Sequence, residues 1–124
     1  MKIIPVLFTL SMALFLFACG DDDSAPSCNT DNITYTNTIE KIIADAGCAQ
    51  MGCHASGSML GSGSLANYDD AKEFVNKGRI LGALRREDNF AEMPRDPATG
   101  NAAAKLADCD IDKIEAWITA GAPE

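Results

Sequence analysis

Five cysteines and a single histidine carry most of the chemistry open to this 124-residue chain. Three of these side chains fall within one segment, Cys48-Ala49-Gln50-Met51-Gly52-Cys53-His54. Thiols pair as disulfides, form thioethers or bind soft metals, and an imidazole is the commonest protein metal ligand. Cys48, Cys53 and His54, with Cys28 or Cys109 as a fourth ligand, would make a structural zinc site. Adjacent Cys-His ligation is awkward for a tetrahedron, however. Two disulfides, Cys48–Cys53 and Cys28–Cys109, would instead staple a small interaction module and leave His54 an ordinary surface residue. Nothing else points to catalysis. Gly57, Gly61 and Gly63 lack the lysine and preceding strand of a phosphate loop. Glu87-Asp88 and the Asp108/Asp110 pair have no partner base, and no Ser/His/Asp arrangement exists, so an enzyme is not expected.

The C-x4-C-H segment resembles the haem-attachment motif of c-type cytochromes, usually C-x2-C-H. The resemblance implies that the Cys48 and Cys53 thiols add to the porphyrin vinyl groups and that His54 is the proximal iron ligand. The longer spacing is a departure that occurs in some multihaem cytochromes. It requires two residues to bulge, and Gly52 supplies the permissive backbone. Further parts arrive in the family's order: a helix leading into the motif, the segment Phe90-Ala91-Glu92-Met93-Pro94, and a closing helix with Trp117. The ending Trp117-Ile118-Thr119-Ala120-Gly121-Ala122-Pro123 is similar to the WI-x-x-GA signature of planctomycete-type cytochrome c domains common in Bacteroidota lipoproteins. Residues 33–124 are covered. The fold implied is all-α, a small cytochrome c-like helical domain with long loops around one covalent haem c.

With one histidine, intramolecular bis-His ligation is impossible, so a thioether is the natural sixth ligand. Of five methionines, Met1 and Met12 fall in the leader described below, which leaves Met51, Met59 and Met93. Met51 lies inside the attachment loop and Met59 only five residues after His54. Met93 has the separation the family's Met-Pro loop shows, and Pro94 stiffens its loop; the other role open to it is core packing. Iron held by His54 and Met93 has no open position, which implies a carrier of single electrons. Arg79, Arg85 and Arg86 read as a solvated helix face in preference to partners of the haem propionates. Cys28 and Cys109 remain, and in an oxidising compartment they are expected to pair. Closing so long a loop stabilises by about 4–5 kcal/mol in the chain-entropy account.

The compartment follows from residues 1–18. Lys2, the apolar run from Ile3 and the small Ala18 form a secretory leader, too short to span a bilayer. Leu16-Phe17-Ala18-Cys19 resembles the bacterial lipobox, which implies lipidation of Cys19 and firm anchoring by its acyl chains. Residues 19–32 read as a lipidated flexible tether. Its Asp21-Asp22-Asp23 run resembles the acidic stretch of surface-exported Bacteroidota lipoproteins and is equally a solvated spacer. The location expected is the cell envelope, on the periplasmic or the surface face of the outer membrane. Removing Lys2 from the ten basic residues leaves nine against eighteen acidic, a net charge of −9. Such acidity excludes nucleic acid and suits redox partners with a basic docking face.

Three stretches of helical periodicity must position these groups. The first covers about residues 36–46, with Ile39, Ile42 and Ile43 on one face and Gly47 at its end. The second is a pair, about 68–76 and 79–86. The last begins near Asp110 as N-cap and carries Ile111, Ile114, Trp117 and Ile118. Loops at about 55–66 and 89–104 join them. Aromatics make up only 6% of the chain, too few for a large core. A domain this small needs a disulfide, a metal or a cofactor to complete its interior.

Overall fold

Thr34 opens the first helical stretch. Its hydroxyl accepts from the Asn37 amide at 3.3 Å, and the Asn37 carboxamide oxygen accepts from the Thr34 amide at 2.9 Å, a reciprocal cap. The computed structural model describes residues 27–58 and 63–124. The leader, Cys19, the Asp21–Asp23 run, Met59 and Gly61 lie outside the described residues. From Thr34 the chain makes a π-helical turn, Tyr35–Ile39, and continues as α1 (Glu40–Asp45). The π turn buries both Tyr35 and Ile39, ahead of Ile42 and Ile43 in α1. Then follow α2 (Tyr68–Asn76), α3 (Ile80–Arg85) and α4 (Asp108–Thr119). Among the described residues there is no strand, only an isolated bridge between Arg95 and Ala102, so the architecture is all-α.

Two of the expected boundaries are corrected. The first stretch starts as a π turn because the Thr34 carbonyl accepts from both Thr38 and Ile39. Helix α4 begins at Asp108, with Ala107 as a cap that offers no side-chain acceptor, so Asp110 is not the N-cap. Both aspartates instead sit in the first turn, where the helix dipole favours carboxylates, and Asp108 is paired with Lys105 at 2.9 Å.

Helix α4 packs on the π turn and on α3. Tyr35 lies between two aromatic rings, Trp117, 1% exposed, at 6.2 Å and Tyr68 edge-on at 5.6 Å. The chain end closes over this group through backbone carbonyls. The Trp117 indole and the Tyr35 amide both donate to the Pro123 carbonyl, at 2.7 and 3.0 Å, and the Tyr68 hydroxyl donates to the Ala122 carbonyl at 3.0 Å. The Trp-to-Pro ending is thus a clasp, anchored by the buried Trp117 and Ala122, that ties α4 to the first helical stretch and to α2.

Cys28 and Cys109 form a disulfide that joins the segment ahead of the π turn to the first turn of α4. A cross-link spanning 81 residues restricts the unfolded chain strongly. Replacing both cysteines by serine is expected to lower unfolding free energy by about 2–5 kcal/mol. Urea titration of the two forms measures this, and coincident midpoints would show that the bond contributes nothing.

Candidate functional site

Cys48 owes its position to the way α1 ends. Gly47 takes φ +64°, the Cys48 amide donates to the Ile43 carbonyl at 3.0 Å and the Gly47 amide to the Ala44 carbonyl at 3.0 Å. This is the Schellman arrangement, in which the left-handed residue turns the chain and the next one folds back on the helix. From there the His54 amide reaches back to the Cys48 carbonyl at 2.9 Å, and the Cys53 amide donates to Gln50 at 3.0 Å. The four intervening residues are accommodated as an outward turn. Gly52 adopts φ +83° and Met51 is 88% exposed, so Met51 points away from the interior. Cys48 and Cys53 stand as free, half-buried thiols.

His54 is buried, 9% exposed, and held on several sides. Its Nδ1 lies 2.7 Å from the Gly63 carbonyl, and its own carbonyl accepts from the Leu65 amide at 2.8 Å. The ring meets Phe74 of α2 edge-on at 4.9 Å. A carbonyl can only accept, so Nδ1 carries a proton, and in the neutral ring the lone pair then lies on Nε2. Among the described residues Nε2 makes no hydrogen bond. An imidazole oriented from behind in this way, with a free Nε2, has the form of a metal-ligating histidine.

Met93 comes from the other side of the sequence. Its amide donates to the Ala83 carbonyl of α3 at 3.1 Å, and its side chain is half-buried against the core. Cys48, Cys53, His54 and Met93 all border one cavity of about 490 Å³. That size lies within the range of about 300–1,000 Å³ typical of small-molecule and cofactor sites. The remaining wall is largely apolar, with Ile42, Ile43, Phe74, Leu84 and Phe90 among its members. This space among the helices stands beside the core of Trp117, Ile39 and Ile111 and accompanies the shortage of large core residues.

The three arginines separate. Arg85 pairs with Glu115 at 2.6 Å, and Arg86 donates to the Ala103 carbonyl. Arg79 is exposed, as a solvated face requires, and also stands at the cavity rim with its guanidinium 5.1 Å from the Phe90 ring centroid; it is Arg86, only part-exposed, that departs from that reading. Sequence reasoning missed Phe74 behind His54 and the Gly63 carbonyl. Phe74 was accessible as the apolar face of a helix. A backbone carbonyl leaves no signal, because any residue type supplies one.

Burial pushes the Cys48 thiol up from its ordinary pKa, the neighbouring Cys53 adds to this, and a backbone hydrogen bond offsets part of it. The thiol therefore resists ionisation in the folded chain more than in the unfolded one. The stability this represents is complete below the unfolded thiol pKa and is lost as pH rises through the folded value. Alkylation of Cys48 by iodoacetamide in the folded chain is expected to begin at a more alkaline pH than in the urea-unfolded chain. Superimposable pH profiles would contradict the burial argument.

Among the described residues, no three His, Cys, Asp or Glu side chains gather closely enough to hold a metal ion, which counts against the zinc arrangement. No helix among them is long and apolar enough to cross a membrane. Compared with protein-family models, curated proteins and solved structures, the chain matches none.

Proposed function

We propose that this chain is a monohaem c-type cytochrome domain that carries single electrons at a membrane. The observation that carries this reading is the convergence of Cys48, Cys53, His54 and Met93 on one largely apolar cavity, with the His54 Nε2 lone pair left free. In sequence, Met93 lies 39 residues beyond His54. The donor set fits a haem better than a bare metal ion. A porphyrin supplies four nitrogens itself and asks the protein for only one or two axial ligands, here a nitrogen and a soft sulfur.

Cys48 and Cys53 would hold the porphyrin edge covalently. His54 would serve as proximal ligand, kept in the required tautomer by the Gly63 carbonyl, and Met93 as distal ligand. Bound haem supplies a one-electron iron couple, and methionine ligation raises its potential relative to two histidines. The apolar wall keeps water from the site, while Arg79 offers a cation at the rim to a carboxylate. With His54 and Met93 both given to the iron, no ligand position would be open to a substrate, which suits a carrier. Lipid on Cys19 would tether the domain to the envelope, and the net negative surface would suit redox partners with a basic docking face. Free thiols at Cys48 and Cys53 support this reading over a haem-free module with two disulfides.

The test is an absorbance spectrum of the mature domain, made in a host with haem-attachment machinery, before and after dithionite. A haem peroxidase stain on a denaturing gel accompanies it. Sharp reduced bands, with stain that survives denaturation, are expected. A colourless product from a host that loads a control cytochrome would overturn the proposal.

A further inference from the structure

The segment that brings Met93 to the cavity is fastened to α3 at two consecutive residues. The Met93 amide donates to the Ala83 carbonyl at 3.1 Å. Next to it, the Phe90 ring lies against Gly82, so close that a Cβ added there would stand 2.7 Å from Cδ1, Cδ2 and Cε1 of the ring. Contact with both Cδ atoms at one distance places the ring face over the glycine. Gly82 is buried within α3, and its φ lies outside the left-handed region, so its backbone does not call for glycine. After proline, glycine is the residue that least favours a helix interior. Within a helix of only six residues, its use here is explained by the close approach of Phe90. The Arg79 guanidinium, 5.1 Å from the ring centroid, supports Phe90 from the same helix end.

We infer that Gly82 is a positioning residue, whose missing side chain seats Phe90 on α3 and thereby holds the Met93 thioether at the cavity. The inference rests on the haem reading above and names the part of the fold that decides how firmly the distal ligand is held. A methyl group at position 82 lifts the ring. The Phe90–Met93 segment moves with it, and the Met93–Ala83 hydrogen bond is drawn apart. An added ligand gains access only in the fraction of molecules whose methionine is displaced, so its apparent affinity reports that fraction.

The experiment compares the haem-loaded wild type with Gly82→Ala and with the double variant Gly82→Ala/Phe90→Leu, using imidazole as the added ligand. In Gly82→Ala, the far-red methionine–iron band of the ferric form is expected to weaken. Imidazole is expected to bind at least about tenfold more tightly, and the reduction potential to fall. In the double variant the smaller leucine leaves room for the methyl group, and the band and the imidazole affinity are expected to return toward wild type. A Gly82→Ala protein that melts earlier yet keeps the band, the potential and the imidazole affinity would make Gly82 merely structural and overturn the inference. A double variant no better than Gly82→Ala would do the same. A wild-type chain without haem would mark failure of the underlying reading instead.

Discussion

Chain carrying glutamine in place of His54 is expected to hold more than about 100-fold less haem iron in a low-spin state than wild type. Partners placed behind a metal ligand are already worth about 10–100-fold in affinity, and in the proposed site His54 would be the ligand itself. No second histidine can take over, because the sequence has only one. Glutamine is chosen because its amide can still donate to the Gly63 carbonyl, 2.7 Å from Nδ1 in the native chain. Alanine would leave both a cavity and a part-buried carbonyl without its donor, at a cost of about 2–4 kcal/mol, and would confuse folding with ligation. Urea titration of the haem-free proteins should therefore find His54→Gln close to wild type, while its spectrum loses the low-spin bands. If His54→Gln kept those bands, His54 would not be the proximal ligand. If neither protein took up haem and the variant differed only in stability, His54 would be a core histidine satisfied by Gly63 and Phe74.

Leucine in place of Met93 separates ligation from packing just as sharply. The two side chains have similar volume, and such exchanges in a core cost less than about 1.5 kcal/mol. Met93 is half-buried against the core, so a purely structural methionine would tolerate the change with little spectroscopic effect. As a distal ligand, it cannot be replaced by a side chain without sulfur. Met93→Leu is expected to lose the far-red band, to open the iron to imidazole and to lower the reduction potential. In the proposed site, removing the thioether would withdraw a ligand that favours the reduced iron, and axial ligation spans about 0.8 V across haem proteins, so a fall on the order of 100 mV is expected. Unchanged spectra and potential in the leucine variant would remove Met93 from the ligand set. Met51, turned out to solvent, would not be its substitute.

Much of this was legible because the informative residues are local. The helix over about 36–46, the pair after residue 68 and the last helix follow from apolar spacing, and Gly47 marks a helix end that the structure uses to place Cys48. The outward turn of Met51 follows from the length of the Cys48–Cys53 loop and from Gly52. The start of α4 was misjudged. Two aspartates near one terminus compete as caps, and sequence cannot rank them when neither caps the helix in the end. The π turn was missed for a related reason: one carbonyl serving two amides is a geometric outcome with no residue signature.

The sequence by itself determined which side chains could do chemistry: one histidine beside Cys53, a second thiol five residues earlier, and a Met-Pro pair further on. It also determined that the helices would be short and the core sparse. Only the tertiary structure decided that these residues share one cavity. It also decided which ring nitrogen of His54 is free and that Arg79 stands at the rim while Arg85 and Arg86 are committed elsewhere. The reason is physical. Residue type and local periodicity are properties of a stretch of chain, whereas a lone pair is freed or used by a carbonyl from another loop. The seat of Phe90 on Gly82 is of the second kind: a missing side chain becomes meaningful only when the ring that fills its place is known.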